Sequence, residues 1–445
     1  MTVTKAAELV GGEIAGVLNN DRELRHIVID SRAVEEGDLF AAYRGEHADG
    51  HDYIHAAFLN GAACCLAEYT PEGETGTLIL VPDVQAAIEK LAEAYRAEFD
   101  LPVVGVTGSV GKTTAKEMIA AVLEQRFRTL RTEGNLNNRI GIPMMLSRLE
   151  HRHEAAVIEM GISDFGEMSL LSRMVRPTAA VFTVIGHAHL EFLHDLEGVL
   201  RAKTEMLEDL PDTAPVIVNG DDTLLAELQC MQRKITYGFG ENCDVRAEQV
   251  RTEETDTCCE IVCGLRHISV RIPAFGRHVV YAALSAATVG MLFGLSDEQI
   301  RAGIAAFRNV SRRGDVIRTA SVTLFDDSYN ANPDSVRCAI DSLVLLPGKR
   351  HVCILGDMLE QGENSVPMHE EVGLYALEKG VELILTSGLY SEALCRGAGG
   401  IGKRFETREA LIDALRKELR EGDCILVKAS KGSHYEFVSA AIREM

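Results

Sequence analysis

From Pro102 onward the chain repeats one pattern: a short run that is apolar at almost every position, then a segment of helical length, then another apolar run. The runs "PVVGVT", "EAAVIEM", "TAAVFTVI" and "APVIVN" alternate with helical segments at Lys112–Gln125, "GEMSLLSRMV" and "LEGVLRAKTEMLEDL". Strands that are apolar throughout, rather than at every second residue, are buried on both faces. Helices between them make the connections parallel crossovers. Residues 235–275 read instead as short β segments, and "VVYAALSAATVGMLFGL" and "SDEQIRAGIAAF" as helices. A second alternation begins near Arg313 with "VTLFDDSY", "SVRCAIDSLVLL", "RHVCILGD", a helix around Glu370–Lys379, "VELILTS" and "DCILVKAS". The first 80 or so residues hold the strand-like runs "RHIVID" and "DLFAAY". The helical stretch "DVQAAIEKLAEAYRAEF" then ends at Phe99–Asp100, just before Leu101–Pro102. The expected fold is α/β in three domains: 1–98, small and α/β; 99–312, a central parallel sheet; and 313–445, Rossmann-like.

The stretch "VTGSVGKTTAKE" follows the first central strand and opens a helix. Gly108, Ser109, Val110 and Gly111 would offer backbone N–H groups to an anion at a helix N-terminus. Lys112 would reach the terminal phosphates, and Thr113, with Thr114 beside it, would place a hydroxyl on Mg²⁺. The general pattern G-x-x-x-x-G-K-[ST] needs Gly at 106, where Val106 stands; the loop reads T-G-x-x-G-K-T-T. By itself it indicates ATP or GTP.

Composition narrows the partners. The net charge of −22 disfavours nonspecific binding to nucleic acid or an anionic membrane. No run of 18 apolar residues is present, and "MTVTKAAELVGGEIAG" lacks the basic and apolar regions of a signal peptide. A cytoplasmic location without membrane insertion is expected. Eleven cysteines are scattered, and Cys258, Cys259 and Cys263 lack CxxC spacing, so reduced thiols rather than a zinc site are expected.

The variant loop resembles that of the Mur ligases and folylpolyglutamate synthases, ATP-dependent enzymes that form amide bonds. The resemblance continues through "TEGNLNNRIGIP", "EMG", "GHAHLEFL", "RAKTEM", "VNGDD", "DDSYNANPDS" and "LGDMLEQGE", in that order. The last two resemble the branch of the Mur ligase family that joins D-alanyl-D-alanine to a UDP-N-acetylmuramoyl tripeptide. "DSR", "GDLFAAYRG" and "DGHDY" resemble that branch's UDP-binding domain. The resemblance implies ATP and Mg²⁺, an acyl-phosphate intermediate, and a central ATP-binding domain. It also implies a C-terminal domain that closes on ATP and binds the amine, and it is compatible with a monomer.

It further implies residue roles. Lys112 and Thr113 hold the nucleotide, and Glu159 shares a Mg²⁺ with Thr113. His189 ligates a second Mg²⁺ together with Lys203, which is expected to be carbamylated within "AKTE"; Leu200, Met206 and Leu207 would bury its stem. His187 and His194 are read as bystanders. Asn137 and Asn138 lie near the phosphates or stabilise their own loop. Arg313, or Arg312 one residue earlier, reaches ATP, and Asp327 reaches the ribose. Tyr329, Asn330 and Asn332 line the closing cleft, and an Asn/Pro turn is expected there in either case. Ser31 and Arg32 touch UDP or form a surface turn. The departures are Val184 in place of Asn before "IG", Val279 and Ala282 in place of two amides near the adenine, and Ala429 and Lys431 within "KASKGS". A folylpolyglutamate synthase would share the chemistry without the UDP-like segment. A nucleotide-binding regulatory module would lack a use for Lys203, His189 and Glu159. The sequence leaves open whether the tripeptide ends in lysine or diaminopimelate.

Overall fold

The computed structural model describes residues 1–16, 21–45 and 48–445. Three separate sheets are present. The first has five strands in the order Glu13–Ala15, Leu78–Leu80, Cys64–Ala67, Leu39–Ala41, Ile27–Val28, parallel except for the first pair. The second has nine. From one edge they run Arg266–Ile272, Thr257–Cys263, Val245–Thr252, Arg233–Gly238, Pro215–Asn219, Ala179–Phe182, Val103–Thr107, Ala155–Glu159 and Thr129–Arg131. The third has six, and only its edge strand Asp315–Arg318 is antiparallel to its neighbour.

The central strands Val103–Thr107, Ala155–Glu159 and Ala179–Phe182 are buried at every position, as continuously apolar runs require. One face is covered by the helices Lys112–Leu123 and His278–Leu292. Val106, Ala115, Ile119, Val122, Val280 and Leu284 share that core. The other face is covered by Gly141–Leu146, Glu167–Val175 and Leu196–Thr204, around Ile158, Leu171, Phe182 and Val199. Each such aliphatic or aromatic side chain stabilises the fold by roughly 1.5–3 kcal/mol on burial. The segment 235–275 is β structure, as its sequence suggests. Its strands are six to eight residues long, and the last three form an antiparallel extension of the central sheet.

The helix Val84–Arg96 ties the first sheet to the second. Val84, Ile88 and Leu91 enter the first core, and Ala92 enters the central one. The buried Arg96 guanidinium donates to the carbonyls of Phe99 (2.7 Å), Val175 (2.9 Å) and Arg176 (3.3 Å). A charge out of water is tolerable there because its N–H groups face carbonyl oxygens, including the last ones of a helix. Among the described residues no helix is long and apolar enough to cross a membrane.

Candidate active site

Three neighbouring strands end at one place. Val103–Thr107 pairs in parallel with Ala155–Glu159 on one side and Ala179–Phe182 on the other, with Val106 beside Glu159 and Thr107 beside Phe182. The loops that leave these carboxyl ends carry the glycine loop, the Glu159 carboxylate and the histidine turn 186–189. This is the end of a parallel sheet at which ligands bind.

Gly108 begins the loop at φ 147°, and a Cβ there would lie 2.0 Å from Thr183 Oγ1, so only glycine fits. The loop is tied to the next strand end. Ser109 N–H donates to Val184 O (2.7 Å), and Thr183 Oγ1 donates to Val110 O (2.6 Å). Val184 thus acts here through its carbonyl, which any residue supplies. Gly111, at φ 84°, caps the helix Lys112–Leu123 without a side chain, leaving the first N–H groups free for an anion. The Lys112 ammonium folds back on Gly108 O (2.6 Å) and Ser109 O (3.4 Å). Thr114 lies one residue further into the helix and is partly exposed.

Glu159 is 1% exposed. Its Oε1 accepts from Asn137 Nδ2 (2.8 Å) and Thr113 Oγ1 (3.2 Å), while Oε2 is buried without a partner. A buried carboxylate oxygen left unpaired beside a hydroxyl suits a hard cation. That donor pair fits Mg²⁺, with the remaining positions left to water and phosphate. Among the described residues no three His, Cys, Asp or Glu side chains gather as a metal site, so any cation here depends on Thr113 and on oxygens from outside the chain. Asn138 takes the alternative left open for it: its Oδ1 accepts from Gly141 N–H (2.9 Å) and Ile140 N–H (3.3 Å).

Three cations converge. Burial pushes Lys112 below its ordinary range, and nearby Arg313 lowers it further while Glu159 acts in the opposite sense. Lys203 is 1% exposed and is pushed far down by burial and by Lys112. Leu200, Met206 and Leu207 belong to the core cluster around its helix. Arg313 stacks on Tyr329, 4.0 Å from the ring centroid, with a buried Nε that has no partner. Arg312, at φ 66°, faces Glu436 at 3.7 Å instead, so Arg313 is the arginine beside Lys112. In a chain of charge −22, like charges packed this closely mark a place prepared for an anion.

His189 adopts φ 56°. Its Nδ1 lies 2.6 Å from Glu360 Oε2, and this contact holds the Glu360 carboxyl below its usual range. The main-chain N–H of His187 donates to Asp334 Oδ2 (2.6 Å), and its Nδ1 lies 3.0 Å from the same oxygen. That hydrogen bond raises the His187 pKa. Burial pushes the Asp334 carboxyl up, but the His187 bonds outweigh it and hold it below its usual range. Both Glu360 and Asp334 come from the third-sheet region, which therefore touches the histidine turn.

On that side Asn332 caps the helix Pro333–Leu343, with its Oδ1 accepting from Ser335 N–H at 2.8 Å. Asp327 pairs with Lys428, whose ammonium also donates to Asn330 O (2.9 Å). The buried Lys428 was not singled out by sequence. Lys431 is exposed, and its N–H donates to Asn330 Oδ1 (3.3 Å). The buried Ala429 packs against Gly356, where a Cβ would meet it at 2.7 Å. Val279 and Ala282 are buried in the central core. Ser31 is buried and its carbonyl accepts from Asn60 Nδ2 (2.8 Å), whereas the exposed Arg32 pairs with Asp30 at 2.7 Å.

Comparison with known proteins agrees with this arrangement. Residues 23–104 match the Mur ligase family catalytic domain, 106–290 the Mur ligase middle domain, and 312–431 the Mur ligase glutamate ligase domain. The chain is 35% identical to the UDP-N-acetylmuramoyl-tripeptide–D-alanyl-D-alanine ligase of Bacillus subtilis, over 98% of this chain and 96% of that one. It is 35% identical to the Escherichia coli protein of the same name, over 100% and 98%. A crystal structure of MurF from Acinetobacter baumannii superposes with a TM-score of 0.90 at 30% identity, covering 100% of this chain and 99% of that one. The Thermotoga maritima MurF ligase in complex with ADP superposes at 0.83 with 27% identity, covering 94% and 97%.

Proposed function

The chain belongs to the Mur ligase family, and from that premise we propose that it is an ATP-dependent ligase. It would add D-alanyl-D-alanine to a UDP-N-acetylmuramoyl tripeptide and give the pentapeptide, ADP and phosphate. The observation that carries the chemistry is the buried Glu159 carboxylate beside Thr113 at the end of the parallel sheet, with Lys112 near it and Lys203 and Arg313 close enough to Lys112 to repel its charge. The full-length relatives supply the substrate class. The three working units are taken as 1–98, 99–312 and 313–445, acting as a monomer in the cytoplasm.

Joining a carboxylate to an amine in water needs activation, here by transfer of the γ-phosphoryl group to the tripeptide carboxylate. The amine then attacks the acyl phosphate. Two anions must meet, so electrostatic stabilisation is the main demand on the protein. The N–H groups of Gly108 and of 110–114 cradle the phosphates, whereas that of Ser109, expected to join them, is spent on Val184 O; Lys112 neutralises charge on the transferred group. Arg313, held flat by Tyr329, offers its guanidinium to the same phosphates. Thr113 and Glu159 would hold Mg²⁺, and Asn137 fixes the Glu159 rotamer. His189 and a carbamylated Lys203 would hold a second ion. When bound, these ions offset phosphate charge. Asn138 acts indirectly, by shaping the loop that carries Asn137. Asp327 is assigned to the ribose, Ser31 and Arg32 to UDP, and Tyr329, Asn330 and Asn332 to the cleft that receives the amine. The rival fold relative, a Mycobacterium tuberculosis folylpolyglutamate synthase complexed with ADP, is 16% identical, which bears on the fold alone.

Phosphate release with ATP and a UDP-muramoyl tripeptide should be fastest with D-alanyl-D-alanine, well above D-alanine or L-glutamate. Equal rates with all three acceptors would overturn the assignment of the amine. Nucleotide choice gives a second expectation. Val279 and Ala282 present no hydrogen-bonding atoms, and apolar surfaces discriminate weakly. GTP should therefore support turnover within about 10²-fold of ATP in kcat/KM. Rejection by 10⁴-fold or more would mean that other polar groups read the base.

A further inference from the structure

The histidine turn is bonded on both sides. On one side is the phosphate loop: Ser109 Oγ donates to Gly186 O (2.9 Å) and accepts from Gly186 N–H (2.9 Å). On the other is the helix Pro333–Leu343 of the C-terminal unit. Its Asp334 carboxylate accepts from His187 N–H at 2.6 Å and faces the ring Nδ1 at 3.0 and 3.2 Å. It also sits directly over Gly186, where a Cβ would lie 2.4 Å from Oδ2. A second strut comes from the same unit: the Glu360 carboxylate lies 2.6 Å from His189 Nδ1 on the turn, and Glu360 O accepts from Glu191 N–H just beyond it (3.3 Å). Residues 186–189 are thus gripped by the phosphate loop and by the C-terminal unit.

We propose that Asp334 is a positioning residue, and that the turn Gly186–His189 relays docking of the C-terminal unit to the phosphate loop through Ser109. When Asp334 is in place, Gly186 is pinned between its carboxylate and the Ser109 hydroxyl, and the loop is fixed in its anion-binding shape. When the unit swings away, the turn loses its outer restraint and Ser109 loses a rigid partner. Nucleotide affinity and domain docking are then coupled, each favouring the other as linkage demands. Asp334 touches no reacting group in this scheme; its effect passes entirely through main-chain atoms of 186 and 187.

The inference rests on the nucleotide reading above. The test is a double-mutant cycle in the full chain with Ser109→Ala, Asp334→Ala and the double substitution. The quantity measured is calorimetric affinity for a β,γ-non-hydrolysable ATP analogue with Mg²⁺. Each single change should weaken binding several-fold. The double change should be little worse than the weaker single variant, a coupling of about fivefold or more. Asp334→Asn keeps an acceptor for His187 N–H and should recover part of the affinity. Melting curves check folding, and Asp334→Ser replaces Asp334→Ala in the cycle if the latter does not fold. Single effects that simply multiply, or an Asp334 variant that binds like the unsubstituted chain, would overturn the relay while leaving the nucleotide site standing. Failure of the unsubstituted chain to bind the analogue would overturn both.

Discussion

Lys112→Ala should lower ATP turnover by about 10²–10³-fold or more while leaving the fold intact. The expectation follows from where the ammonium lies. Its partners are two loop carbonyls, Gly108 O and Ser109 O, and no carboxylate pairs with it among the described residues. Losing those two bonds costs the fold about 1–3 kcal/mol at most. In the reaction the loss is larger, because the same charge faces a phosphoryl group in a site that water reaches poorly. Alanine also removes one member of the cation cluster, so repulsion on Lys203 and Arg313 falls and folding is not penalised on that account. Steady-state phosphate release, with circular dichroism melting as the control, decides the matter. Near-normal release from a folded variant would end the phosphate-loop assignment.

Lys203→Ala should cost ligase activity on the order of 10²-fold or more, with folding and ATP-analogue binding retained. Burial and the Lys112 charge both disfavour the ammonium, so a larger fraction is neutral amine than at an exposed lysine. A neutral amine attacks CO₂: an N–C bond forms, one C–O π bond breaks and a proton leaves, giving a carbamate anion. That anion removes the cost of a buried cation beside Lys112 and presents oxygen atoms, the ligands that Mg²⁺ prefers. His189 lies on the turn after the neighbouring strand, which is the company the metal reading requires. Short carboxylates such as formate should partly restore the alanine variant by supplying those oxygens. Lys203→Arg tests the idea most sharply, because a guanidinium cannot form a carbamate. Full activity of that variant would refute the modified lysine.

Much of this was legible because it is local. Continuously apolar five-residue runs announced buried parallel strands, and the glycine loop followed the first of them at the helix start. The position of Glu159 at a strand end followed from the same alternation. Lys203 stands out through the resemblance of "AKTE", its apolar neighbours being only consistent with burial, and the structure buries it. What sequence reading missed is long-range. Asp334 and His187 are 147 residues apart, and Lys428 and Asp327 are 101 apart. No periodicity links such pairs. The first is set by how one unit sits on another and the second by which strands become neighbours in the third sheet, neither of which follows from local propensity. The bond from His187 to Asp334 is of the first kind, since its partner comes from another sheet. The antiparallel extension at 245–272 was undervalued because its strands alternate buried and exposed positions, so each run looks weaker than a core strand.

The phosphate loop, the glutamate and the histidine turn issue from three adjacent strands of a single hydrogen-bonded ladder, while the residues assigned to sugar nucleotide and amine stand on two other sheets. The spacing that phosphoryl transfer needs is therefore carried by the stiffest part of the molecule, and the parts that recognise particular substrates hang outside it. Such a plan is modular. Either flanking unit can be rebuilt for a different acid or a different amine without disturbing the distances among loop, carboxylate and turn, provided that the C-terminal unit keeps Asp334 on the turn. A chemistry fixed in the middle and selectivity kept at the two ends lets one scaffold serve successive steps of a chain-lengthening series, each new specificity requiring change only at the periphery.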